Sequence, residues 1–230
     1  MNKKILLVST CFMLLIVSIF PTTMSADQSI GPPDPDPPSG PTEGGVGENY
    51  TFCIDIPEDF PGDAIAVLWS WGDGTFSEWL GSYAPGEIAC ASHSWNEPGV
   101  YDIRVKLKNE YGYESNWSAS LTMTIYAPAF KIEYIKGGVG EVCAEIKNVG
   151  EWNATNVNWS IDILSMIPGH WHWKGTISNL PVGESEIVCS DDFIVGLSLT
   201  TITVTADAEY VDTITEKEDV LIFLIIVIIL

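Results

Sequence analysis

Apolar and polar residues alternate along most of this chain with a period of two, the signature of strands that bury one face. Ile65, Val67, Trp69 and Trp71 fall on one side of such a pattern, with Ala64, Ala66, Leu68 and Ser70 on the other. Gly72-Asp73-Gly74 stops the run, because glycine reaches positive φ cheaply and aspartate can bond its own backbone in a turn. After Pro98-Gly99, Tyr101, Ile103, Val105 and Leu107 alternate with Asp102, Arg104, Lys106 and Lys108, a strand with one wet face. Tyr50–Ile56 and Leu121–Ile125 alternate in the same way. Beyond Tyr126-Ala127-Pro128 the pattern predicts seven further strands, over Phe130–Ile135, Val142–Lys147, Val157–Leu164, Trp171–Ile177, Ser185–Ile194, Thr200–Ala206 and Val220–Ile229. Short strands separated by glycine- and proline-bearing turns predict an all-β chain of two tandem sandwiches, over residues 41–127 and 128–230.

The two ends depart from this pattern. Asn2-Lys3-Lys4 followed by the apolar run Ile5–Phe20 reads as a secretory signal over residues 1–26, with Met24-Ser25-Ala26 as the processing site. An uncleaved membrane anchor is the alternative. Residues 27–40 carry Pro32, Pro33, Pro35, Pro37 and Pro38 among aspartates and read as a stiff spacer. The uniformly apolar Val220–Leu230 is too short for a spanning helix. It reads as a final strand buried on both faces, with a membrane-associating tail as the alternative.

Charge narrows the partners. The formal net charge of −21 repels nucleic acid and anionic lipid, so nucleic-acid binding is excluded. Membrane contact is left to an uncleaved signal or the apolar C-terminal tail. No nucleophile–base pair or glycine-rich phosphate loop is visible, and the chain has only three histidines, so the reading is not an enzyme. His170 and His172 share one strand face at ligand-compatible spacing, but no third ligand is near in sequence. They are read as the polar half of an alternating strand.

The run Trp69-Ser70-Trp71-Gly72-Asp73-Gly74-Thr75, then Ser92-His93-Ser94-Trp95, then Pro98-Gly99-Val100-Tyr101-Asp102-Ile103 resembles the PKD domain. That family is an immunoglobulin-like β-sandwich of extracellular proteins. The Ser77–Glu87 segment and Tyr111-Gly112-Tyr113-Glu114-Ser115-Asn116-Trp117-Ser118 are similar to turns of a PKD subgroup found in archaeal and bacterial surface proteins. The resemblance implies that Trp69, Trp71, Trp95 and His93 are structural. In the second half, Lys147-Asn148-Val149-Gly150, Ala154-Thr155-Asn156-Val157 and Leu180-Pro181-Val182-Gly183-Glu184 resemble a CARDB-like adhesion module.

Export places Cys53, Cys90, Cys143 and Cys189 where disulfides persist, and Cys11 falls in the signal. Cys53 and Cys143 lie on the outward phase of their strands. In an immunoglobulin-like sandwich the second and fifth strands are neighbours, which implies Cys53–Cys90 and Cys143–Cys189 as staples on an outer face. In the loop where related PKD sequences carry D-P-D/E-G-D, this chain has Glu58-Asp59-Phe60-Pro61-Gly62-Asp63. Glu58, Asp59 and Asp63 are candidate calcium ligands, the alternative being a purely structural loop with no cofactor. Trp79, Tyr83, Tyr111, Tyr113 and Trp117 gather on loops and turns as candidate ligand contacts, the alternative being local packing. Asn49, Asn116, Asn153 and Asn158 stand in N-x-S/T sequons and are candidate glycosylation sites. The resulting expectation is a secreted or cell-surface adhesion module that contacts an extracellular protein or cell-envelope component. The alternative is a carbohydrate-binding accessory that holds glycan on the loop aromatics.

Overall fold

The computed structural model describes residues 33–164, 169–191, 194, 196–224 and 226–229. The expected signal over 1–26 and the first part of the spacer lie outside the described residues. Among the described residues all regular structure is β, and no helix is long and apolar enough to cross a membrane.

In the first half the strands are β1 (Glu43–Gly45), β2 (Tyr50–Asp55), β3 (Ile65–Ser70), β4 (Leu80–Tyr83), β5 (Ile88–His93), β6 (Gly99–Asn109) and β7 (Leu121–Tyr126). They form one sheet in the order β1-β7-β6-β3-β4 and a second of β2 and β5. Between the sheets lies a core of Phe52, Ile54, Ile56, Ile65, Val67, Trp69, Trp71, Trp95, Ile103, Val105, Leu107, Met123 and Ile125. All but Trp95, which the PKD resemblance implies is structural, are inward positions that the alternation predicts.

The second half holds β8 (Phe130–Gly137), β9 (Val142–Asn148), β10 (Ala154–Leu164), β11 (His170–Leu180), β12 (Ser185–Cys189), β13 (Gly196–Ala208), β14 (Val211–Leu224) and β15 (Ile226–Ile229). One sheet runs β11-β10-β13-β14-β15 and faces another of β12-β9-β8. Val142, Ala144, Ile146, Val157, Ile161, Ile163, Ile202, Val204, Val220 and Ile222 fill the space between them. The chain is thus two tandem β-sandwiches.

Both disulfides join directly opposed residues of neighbouring strands, Cys53 to Cys90 on β2 and β5 and Cys143 to Cys189 on β9 and β12. In each sandwich these are the strands predicted to be neighbours. None of the four cysteines is buried, whereas the residues beside them in sequence, Phe52 and Ile54, Val142 and Ala144, are. The staples therefore sit on outer faces.

Three elements depart from expectation. Val220–Leu230 is not one strand buried on both faces: Val220–Leu224 ends β14, and the chain reverses so that β15 pairs back on it, Val220 opposite Ile229 and Phe223 opposite Ile226. Val220 and Ile222 are buried while Phe223 is exposed, so only one face is covered. The start of β14 was hidden because Glu216 and Glu218 occupy the phase of Ile214 and Val220, lying opposite Val204 and Ile202. The expected Ser185–Ile194 strand ends at Cys189: Ser190 still donates its amide to the Val142 carbonyl, but its hydroxyl, in place of its carbonyl, accepts the Val142 amide. Finally, residues 33–40 are not a free spacer. Pro35 and Pro38 are buried, and Ser39 exchanges both backbone hydrogen bonds with Cys53.

A small junction links the sandwiches. Trp152 stacks on Tyr126 with ring centroids 6.3 Å apart, and its indole N–H donates to Glu48 Oε1 at 3.4 Å. Gly45 lies flat against that indole: a Cβ there would meet Nε1 at 2.0 Å. The Tyr50 hydroxyl accepts the Gly45 amide at 2.6 Å and donates to Glu48 Oε2 at 2.8 Å. Burial and the bond to Glu48 push the Tyr50 phenol up to about 12, so it stays a donor.

Candidate functional site

The turn after β3 is latched across the sandwich. Asp73 Oδ1 accepts the Thr75 amide at 2.9 Å and its hydroxyl at 2.6 Å, which closes the turn. Asp73 Oδ2 lies 2.8 Å from His93 Nε2 on β5, so one carboxylate ties a turn of the large sheet to a strand of the small one. The His93 ring stacks on Trp71 (centroids 4.7 Å, 4° between planes) and meets Trp95 edge-on at 4.8 Å. The Trp95 indole donates to the Trp71 carbonyl. Partial burial opposes ionisation of Asp73, but hydrogen bonds from Thr75 and His93 outweigh it and hold the carboxyl below the usual range. Gly72 is required here: its φ is +82°, and a Cβ would meet the Asp102 backbone nitrogen at 2.6 Å.

The expected contact aromatics do not form one cluster; among the described residues no ring contact joins any two of the five. Trp79 is half-buried, with Lys108 Nζ 3.9 Å above its ring. Tyr83 is half-buried at the sheet edge and packs against the core. Trp117 instead meets Phe76, which sequence reading did not single out, at 6.1 Å. Tyr111 and Tyr113 lie on the turn after β6, where Asn109 Oδ1 accepts both their amides. Exposures of 58% for Phe76, 71% for Tyr111, 64% for Tyr113 and 36% for Trp117 leave these four rings facing solvent.

The segment that carries Trp117 is fixed by two serines. Beyond Ile103, β6 lacks β7 as a neighbour, and Ser115 and Ser118 supply the missing pairing. Their buried hydroxyls accept the amides of Leu107 and Val105, and their own amides donate to the carbonyls of those residues. A hydroxyl stands in for a strand carbonyl, a substitution that periodicity cannot reveal.

Glu58, Asp59 and Asp63 border their loop, but the loop is closed by another acid: Glu110 accepts the Asp63 and Ala64 amides. Among the described residues the three histidine or acid side chains that converge on one point are Asp162, His170 and His172. His172 lies opposite Asp162 in the β10–β11 register. Asp162 Oδ1 lies 3.1 Å from His170 Nε2 and 2.7 Å from His172 Nδ1, on the outer face of the sheet. All four sequon asparagines are exposed. The Asn153 side-chain oxygen accepts the Val182 amide, and Asn158 bonds Asp207 and Thr176.

Compared with known proteins, residues 38–122 match the model of the PKD domain family. The solved PKD domain of an M14-like peptidase from Thermoplasmatales archaeon SCGC AB-540-F20 is 38% identical, with 41% of this chain and 97% of that one covered at a TM-score of 0.36. The chain belongs to the PKD-domain family. PKD domains are extracellular immunoglobulin-like modules that often mediate protein or carbohydrate interactions and are themselves non-catalytic. Two further solved structures are a cytokine receptor complex (8% identity, 78% of this chain and 94% of that one, TM-score 0.25) and one on neurohormone perception by the receptor tyrosine kinase Torso (12% identity, 80% and 73%, TM-score 0.26). No curated protein matches.

The latch accounts physically for the PKD signature: glycine for the approach of Asp102, Asp73 and Thr75 for the turn, His93 and Trp95 for the cross-sheet stack. In the PKD sandwich these groups are consumed by the fold, and the rings left over are Phe76, Tyr111, Tyr113 and Trp117. The PKD match ends before the second sandwich, which holds the histidine–aspartate centre.

Proposed function

We propose that the protein is a non-catalytic contact module of a secreted or cell-surface protein, whose PKD sandwich presents aromatic rings to an extracellular protein or cell-envelope component. One observation carries this reading: four large rings stand on turns of a disulfide-stapled sandwich without serving its core. Exposed tyrosine and tryptophan on rigid turns supply contact area at little entropic cost, as in other paratope-like surfaces. The net charge of −21 favours a neutral or basic partner.

The second sandwich fits a CARDB-like adhesion module under this reading. The asparagine of its Lys147-Asn148-Val149-Gly150 motif is fully buried and donates to the Trp152 and Leu180 carbonyls while accepting the Gly150 amide. Such a residue holds the loops around it together.

The test is saturable binding of the full chain to cell envelopes, with a polysaccharide panel as competitor and with calcium present or chelated, since Glu58, Asp59 and Asp63 border an acidic loop. Trp117→Ala and Tyr113→Ala should each weaken envelope binding about tenfold, the ordinary cost of truncating an aromatic anchor. Competition by a polysaccharide would transfer the same rings to glycan recognition. Envelope binding unchanged in both variants would overturn the assignment.

A further inference from the structure

We propose that Asp162, His170 and His172 form a binding site for one divalent first-row transition ion of the zinc class. The site stands apart from the aromatic contact surface and does not depend on it. Two imidazoles and one carboxylate are the donor set that such ions take with a position left open for water, whereas calcium and magnesium require oxygen alone.

All three ligand atoms lie within 4.8 Å of one another, and the two pairs that include Asp162 are slightly closer than coordination requires. His170 Nε2 and His172 Nδ1 both converge on Asp162 Oδ1, at 3.1 and 2.7 Å. Ligands at about 2.0–2.1 Å around a tetrahedral ion lie about 3.3 Å from each other. An opening of a few tenths of an ångström, within the reach of side-chain torsions, together with a tautomer change that moves each facing N–H proton to the other ring nitrogen through solvent, replaces the shared hydrogen bonds with metal bonds. The backbone needs no change, because antiparallel pairing sets His172 directly across from Asp162 and His170 two residues away on the same face.

A second layer of contacts orients the carboxylate. Ser160 Oγ donates to Asp162 Oδ2 at 2.9 Å and lies 2.8 Å from Thr205 Oγ1 on the next strand. One oxygen is thereby engaged and the other left for the imidazoles, the arrangement by which outer partners aim metal ligands. Exposures of 54% for His170, 44% for His172 and 30% for Asp162 leave the ion an entry path. A depression lined by Thr201, Thr203 and Lys217 adjoins the centre and gives room for water or an anion as a further ligand.

Only three histidines exist in the chain, and His93 is fixed between Trp71 and Trp95, so it serves as an internal control. Calorimetric titration of the full chain, free of any histidine tag, with Zn²⁺ should give one site per chain that millimolar-range calcium does not displace. Loss of an outer partner alone costs about 10–100-fold in metal affinity. His170→Ala and His172→Ala, which remove ligands, should each weaken Zn²⁺ binding at least as much. In the parent protein, imidazole NMR signals of two histidines should shift on adding Zn²⁺ while that of His93 stays. Undiminished Zn²⁺ binding in the His170→Ala/His172→Ala double variant, or no shift of either imidazole in the parent, would overturn the site.

Discussion

Asp73 shows how far a single residue can be read. Its place in a glycine-flanked turn is legible in the sequence, since an aspartate there can bond the backbone two residues on. Its bond to His93 is not, because the two lie twenty residues apart and on different sheets. Asp73→Ala removes the acceptor for Thr75 and His93 and should cost about 1.5–3 kcal/mol in urea unfolding, the range for hydrogen bonds to a charged group. The native carboxyl is depressed, so its contribution is present in full above the unfolded value of about 3.9 and is lost as pH falls through the lower native one. The parent should therefore lose stability on acidification below about pH 4 more steeply than Asp73→Ala does. Equal acid slopes in the two proteins would show that the latch is not electrostatic. Gly72→Ala should be destabilising as well, through positive φ and the clash with Asp102.

At the scale of elements, alternation revealed the strands whose inward faces are covered along their length. β1, with Gly44 and Gly45, offered no alternation to read, and β14 hid behind inward-phase glutamates at the uncovered part of its sheet. Asp162 was missed as a partner of His170 and His172 because register is a property of the paired strand, not of the local pattern. The disulfides were legible because outward phase and strand order agree. Their sequence separations of 37 and 46 residues imply, by loop-closure entropy, about 4 kcal/mol each. Replacing Cys53 and Cys90 together by alanine should lower the unfolding free energy of the PKD sandwich by about 4 kcal/mol and leave that of the second sandwich unchanged. Ser115→Ala should cost about 1–3 kcal/mol, since the Leu107 amide would be left buried and unpaired. Both are read by denaturant unfolding of the full chain, and a Ser115→Ala protein as stable as the parent would remove the hydroxyl's role in completing β6.

For the whole molecule, the acidic charge and the two cores could be read from residues alone, but the junction could not, because it is made of residues that look like ordinary loop positions. Trp152 serves neither core. It stacks on Tyr126 and donates to Glu48, whose other oxygen is held by Tyr50, while Gly45 gives the indole room to lie flat. A stacked pair of this kind contributes about 0.5–1.5 kcal/mol beyond the area it covers. That is enough to bias the linking residues 127–129 towards protection and too little to merge two unfolding units into one. Trp152→Ala should therefore speed proteolytic cleavage and amide exchange in the Tyr126–Ala129 segment by up to about tenfold, while the denaturant midpoints of both sandwiches stay put. Trp152→Phe should keep the stack and lose only the bond to Glu48, giving a smaller effect. If Trp152→Ala shifted the midpoint of either sandwich as much as a core truncation does, the indole would belong to that core, and the two sandwiches would not be the independent folding units that their separate hydrophobic interiors imply.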